Sequence, residues 1–92
     1  PRAIGYVSTL CAMKVPPERI EEAAGIINSY PEVTHNYLRD HQYNIWFTLI
    51  AQGQERIEKI IEQIKEKTGV EEILNLPAEH FFKLKVEFNL DQ

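Results

Sequence analysis

The spacing of apolar residues changes along this chain in a fixed order, and that order limits the fold more than any other feature. Gly5 to Met13 (GYVSTLCAM) is short, β-prone and rich in apolar residues, as a strand is. Pro16 and Pro17 stop it and suit a helix start, with Glu18 favourable in the first turn. Ile20, Ala23, Ala24 and Ile27 then recur at i, i+3, i+4 and i+7, one face of a helix, and Pro31 forbids its continuation. Val33 to Asp40 and Tyr43 to Ala51 alternate with the period of a strand around "DHQY", a hairpin signal without glycine. Ile57, Ile60, Ile61 and Ile64 make the stripe of a second helix over Gln54 to Lys67, and Gly69 is a fitting stop. "EEILNL", ended by Pro77, is a short strand, and "FFKLKVEF" alternates again with Phe82, Leu84, Val86 and Phe88 on one face. Strand, helix, strand, strand, helix, strand is the split βαβ pattern. The expected fold is therefore α+β and ferredoxin-like, with one antiparallel sheet, two helices on one face and an extra C-terminal strand.

Ninety-two residues give one core, not two. A domain of this size buries only roughly 60% of its unfolded surface, so it gains stability from a partner. Fourteen acidic and ten basic residues leave a net charge of −4. That argues against nucleic acid, whose binding needs a basic face to displace counterions. The single Cys11 excludes an internal disulfide and a multi-cysteine metal site, and its apolar surroundings point to a buried thiol. There is no signal peptide and no apolar run long enough to span a bilayer, so a cytoplasmic chain without membrane partners is expected. The chain begins at Pro1 without a methionine and is expected to be a piece of a longer polypeptide.

The hairpin separates two kinds of side chain. With its loop centred on His41 and Gln42, Leu38 pairs with Ile45, Asn36 with Phe47 and Thr34 with Leu49, on the face expected to lie under the helices. The other face pairs Arg39 with Asn44, Tyr37 with Trp46 and His35 with Thr48. Bare to water, that face would expose a Tyr–Trp pair for no obvious gain. Two covers fit it: a second subunit stacked sheet to sheet, or a flat, anionic, aromatic ligand, and a ligand between subunits satisfies both. Trp and Tyr supply stacking area, and Arg supplies a bidentate grip on carboxylates.

Each of these residues also has a plainer role. Taken alone, an arginine such as Arg39 on a sheet face is more often a rim ion-pair partner than a ligand clamp. Residues such as Tyr37 and Trp46 are usually interface packing, and a lone strand histidine such as His35 is more often structural. His41 sits at a turn tip, where it matters only if the tip borders a pocket. His80 is expected at the surface, at the start of the last strand. His35, His41 and His80 lack the spacing of a metal site, and no metal is expected. No phosphate loop, nucleophile elbow or zinc motif is present. These residues alone give a dimeric ferredoxin-like domain with a polar-aromatic sheet face, and no reaction.

The order of elements and the segment "GVEEILNLPAEHFFKLKV" resemble the effector-binding half of Lrp/AsnC-type transcriptional regulators. Those sensors typically carry a Gly and a Tyr-Asp pair before the third strand. Here the turn reads "RDHQYN", with Asn44 in place of the Asp. The run "VTHNYLRDHQYNIWFTLIA", residues 33–51, resembles the signature of siroheme decarboxylases, the AsnC-like enzymes of the alternative heme and heme d1 pathways. Members of that family usually carry an N-terminal helix-turn-helix-like half, which is not in this sequence; either it was removed or the sequence is only the C-terminal domain. Residues 1–92 are expected to form a single AsnC/Lrp-type ferredoxin-like domain.

The resemblance implies a carboxy-lyase that removes the carboxyl groups of two acetate side chains of siroheme. It implies a pocket between two AsnC-like domains, in a homodimer or a heterodimer with a related subunit. On this basis His35 is the first candidate for the general acid and His41 the second, with Tyr37 as a relay or orienting hydroxyl. Arg39, Trp46 and Asn44 would bind substrate. No further cofactor is required, because the iron arrives in the siroheme. The alternative is the effector-binding and dimerisation domain of a regulator, without catalysis.

Overall fold

The structure, a computed structural model of the chain, describes residues 5–77. β1 (Tyr6–Met13) leads through a 3-10 turn (Pro17–Arg19) into α1 (Ile20–Asn28). β2 (Val33–Leu38) and β3 (Ile45–Gln52) form the hairpin, followed by α2 (Gln54–Thr68) and β4 (Ile73–Pro77). The sheet order is β2-β3-β1-β4, with every neighbouring pair antiparallel. This is the expected ferredoxin-like βαββαβ arrangement. The extra strand expected at "FFKLKVEF", and His80, lie outside the described residues.

One face of the sheet makes the core. Cys11 and Met13 of β1 and Ile45, Phe47, Leu49 and Ala51 of β3 are buried with Ala23 and Ile27 of α1 and the four isoleucines of α2. Alternation in the strands and helical spacing in α1 and α2 thus meet in one cluster. Full burial of a side chain the size of Phe47 or Ile64 stabilises by about 1.5–3 kcal/mol. Tyr30, just past the end of α1, ties that helix to α2: it is buried, and its Oη donates to Gln63 Oε1 at 2.7 Å. α2 stops where its sequence allows it to. Gly69 takes φ +75°, a left-handed conformation that costs glycine little, and its N–H donates to Lys65 O at 2.8 Å.

The hairpin register is as expected from His35 to Leu38: His35 lies opposite Thr48, Asn36 opposite Phe47, Tyr37 opposite Trp46 and Leu38 opposite Ile45. Two expectations fail. Thr34 does not pair with Leu49. Val33 does, and the register shifts between Val33 and His35. This bulge turns Thr34 to the open face, where its hydroxyl bonds that of Thr48 at 2.6 Å. Leu38 shares the helix side with Ile45 but is 57% exposed, because it ends an edge strand and no helix covers it.

Candidate functional site

The open face of the sheet carries Tyr6, Ser8, Leu10 and Ala12 from β1, Trp46, Thr48, Ile50 and Gln52 from β3, and His35 and Tyr37 from β2, by strand parity. On β4, Leu74 and Leu76 stand opposite Ala12 and Leu10. Leu74, Leu76, Ile50, Tyr6 and Tyr37 are all exposed. The face is therefore apolar along β1 and β4, and aromatic and polar along β2 and β3.

A cleft of about 320 Å³ opens on this face, lined by Leu10, Tyr37, Arg39, His41 and Trp46. Four of the residues singled out in the sequence meet here, and the turn-tip His41 does border a pocket. Strand alternation places Tyr37 and Trp46 side by side as a cross-strand pair. Arg39 follows two residues after Tyr37, on the same side. Its main-chain N–H closes the hairpin by donating to Asn44 O at 2.9 Å.

The turn that presents His41 is held by side chains in place of a glycine. Tyr43 N–H donates to His41 Nδ1 at 3.1 Å, and Trp46 Nε1 donates to Tyr43 O at 2.8 Å. Asn44 Nδ2 donates to Val15 O at 2.7 Å, and Asn44 Oδ1 accepts from Val15 N–H at 2.9 Å. The Lys14 ammonium stands 5.6 Å from the centroid of the Tyr43 ring.

Two sequence-derived candidates are not in the cleft. His35 is exposed on the same face, two residues before Tyr37, and does not line the cleft. About 7 Å of strand separates it from Tyr37. Asn44 was expected to bind substrate, but its amide is spent on Val15, so it fastens the hairpin to the end of β1. Leu10 was missed. Its signal was available: it stands on β1 directly opposite Thr48, next to Trp46.

Among the described residues no group of three or more His, Cys, Asp and Glu is placed to hold a metal ion. None of their helices is long and apolar enough to cross a membrane. Cys11 is buried on the helix side, away from the cleft, and burial pushes its thiol up to about 12. A second cavity of about 520 Å³ lies at the other end of the sheet, lined by Tyr6, Glu32, Ile50, Gln52 and Arg56 among others. There Arg56 Nε donates to Glu32 Oε2 at 3.0 Å, while Glu32 Oε1 is buried without a partner among the described residues.

Comparison with known proteins gives the chain's relatives. The chain is 51% identical over 88 residues to the siroheme decarboxylase alpha subunit of Desulfovibrio desulfuricans, an alignment covering 96% of this chain and 50% of that protein. It thus spans about half the length of the relatives it matches. The crystal structure of the siroheme decarboxylase NirDL in co-complex with an iron-uroporphyrin III analogue superposes with a TM-score of 0.74 at 38% identity. That match covers 82% of this chain and 25% of the other. An AsnC family transcriptional regulator from Agrobacterium tumefaciens shares the fold, with a TM-score of 0.71 at 10% identity, over 84% of this chain and 52% of that one. The family model of the AsnC-like ligand binding domain matches residues 3–83, and the chain belongs to that family.

Proposed function

We propose that this domain is the substrate-binding part of a siroheme decarboxylase, acting on siroheme with a second AsnC-like domain. One observation carries this function: an aromatic, cationic cleft built from Tyr37, Arg39, His41 and Trp46, in a chain 51% identical to a siroheme decarboxylase subunit. Siroheme is flat, conjugated and rich in carboxylates. Trp46 and Tyr37 offer it stacking surface, and Arg39 offers a planar cation. From His35 to Arg39 the strand runs roughly 13 Å, so a macrocycle lying on the face reaches both.

Loss of CO₂ from an acetate arm breaks the bond between its carboxyl carbon and the adjacent CH₂. The electron pair enters the conjugated ring, and a proton delivered to that carbon completes a methyl group. Each decarboxylation thus consumes one proton and releases one CO₂, two of each per siroheme, and needs no redox partner. Arg39 holds a carboxylate that is not lost, because clamping the reacting one would stabilise the ground state. His35 is the first candidate for the proton donor and His41 the second. Tyr37 orients the reacting arm or relays the proton. No cofactor beyond the substrate's own iron is needed.

The exposed leucines of the open face belong against a partner, either a second copy or a related subunit. Such a partner would close the cleft from above and exclude water from the tetrapyrrole. Incubating the protein with siroheme without oxygen, and weighing the extracted tetrapyrrole, tests the activity. The expected product lacks two CO₂ units.

A second function is favoured by the cavity at Glu32 and Arg56. A carboxylate whose buried Oε1 has no partner among the described residues, beside a guanidinium, suits a small zwitterion, as the effector of a regulator domain would be. Calorimetric titration with amino acids in place of siroheme distinguishes the two.

A further inference from the structure

The bond between Tyr43 and His41 restricts what His41 can do. A main-chain N–H only donates, so the His41 Nδ1 that faces it at 3.1 Å must offer a lone pair. A neutral imidazole carries one N–H, and that proton is then on Nε2. Putting a second proton on Nδ1 breaks the Tyr43 bond. Taking the only proton from Nε2 leaves an imidazolate, which is too basic to form readily. While the bond stands, the ring neither stores nor delivers a proton.

The bond is part of a braced scaffold. The peptide unit joining Tyr43 to Asn44 is bonded at both ends: its carbonyl accepts from Trp46 Nε1, and its N–H donates to Met13 O at 2.9 Å. Asn44 then grips Val15 with both ends of its amide and accepts from Arg39 N–H. Tyr43 is thus fixed to β1, to the start of the turn and to the indole that lines the same cleft as His41. His35, by contrast, makes no side-chain hydrogen bond to any described residue, and both of its nitrogens are open to a second proton.

We infer that Tyr43 and Asn44 are positioning residues that hold His41 as its neutral Nε2–H tautomer. His41 then serves the cleft as a fixed hydrogen-bond donor to a substrate carboxylate, and His35 is left to supply the proton. The identity of the acceptor rests on the function proposed above; the tautomer does not.

Two measurements test this separately. Long-range proton–nitrogen correlation spectra of the whole protein, at a pH where imidazoles are neutral, report which ring nitrogen carries hydrogen. His41 is expected to show a pyridine-type Nδ1 and a pyrrole-type Nε2, with His35 a tautomer mixture in the same spectrum. A protonated Nδ1, or a mixture at His41, overturns the proposal whether or not siroheme is a substrate. Asn44→Ala is expected to loosen Tyr43 and move His41 toward a mixture; an unchanged tautomer removes Asn44 from the device.

Siroheme binding to His41 variants tests the role. His41→Phe is expected to weaken binding about tenfold or more, as loss of a hydrogen bond to a charged group does. His41→Gln, which keeps a neutral donor near the Nε2 position, is expected to recover most of that loss. Binding retained with turnover abolished in His41→Gln would make the ring the proton source and overturn the assignment. Failure of the unaltered protein to bind siroheme would remove the proposed function and leave the tautomer to stand or fall on its spectrum.

Discussion

Cys11 shows how burial sets chemistry at a single position. The thiol is fully enclosed in the core, and desolvation opposes its thiolate. It is expected to resist maleimide at neutral pH in the folded chain and to react at once in denaturant. The sign of its pH effect follows from linkage. An acid whose folded pKa is raised from 9.0 to about 12 keeps its proton in the native state while the unfolded chain loses it. The contribution is therefore intact below pH 9 and is lost as pH rises toward 12. Three pKa units correspond to at most about 4 kcal/mol. Urea unfolding from pH 8 upward should show a shallower alkaline decline in Cys11→Ala than in the parent chain. Gly69 is a second residue-scale case. Gly69→Ala puts a side chain at φ +75° and should cost about 1 kcal/mol in the same assay.

At the scale of elements, the hairpin is where sequence and structure part company, and the reason is instructive. Alternation alone located β2, β3 and their two faces, because a strand can present side chains to only two sides. It also brought Tyr37, Arg39 and Trp46 together. What alternation cannot express is a bond across elements. The bulge at Thr34 depends on Thr48, and the fate of Asn44 depends on Val15, which lies beyond the end of β1. Asn44 stood in the right register for the cleft, yet its amide turned to the nearest unpaired backbone. Leu38 was misjudged for a related reason: the period gives a side, but not whether a helix reaches that far. Asn44→Ala should therefore act on stability, costing about 1–3 kcal/mol for two lost hydrogen bonds and faster amide exchange at Val15. A variant as stable as the parent, with Val15 still protected, would remove the clip from this account.

At the scale of the whole molecule, the two sheet faces divide the work. The helix side holds the fold together, and truncating Phe47 to alanine should cost about 3–5 kcal/mol. The open side carries the cleft and an apolar strip of half-buried Leu10 with exposed Leu74 and Leu76. Leu76→Lys should leave the fold intact and weaken self-association at least tenfold in sedimentation velocity, if the partner is a second copy. The AsnC-like family was legible from the order of elements and residues 69–86, and the resemblance to siroheme decarboxylases from residues 33–51, where His, Tyr, Arg and Trp line up on one strand pair. The second cavity was not legible, because Tyr6 on β1, Glu32 in the turn before β2 and Arg56 on α2 are far apart in sequence and only the fold brings them together.

The most direct test of the central claim is an anaerobic titration of the protein with siroheme, followed by absorbance and then by mass spectrometry of the extracted tetrapyrrole. Saturable binding with loss of two CO₂ units per siroheme is the expected result, and it should fail when Arg39 and Trp46 are both replaced by alanine. No binding of siroheme at any concentration tested would contradict the assignment and move attention to the cavity at Glu32 and Arg56.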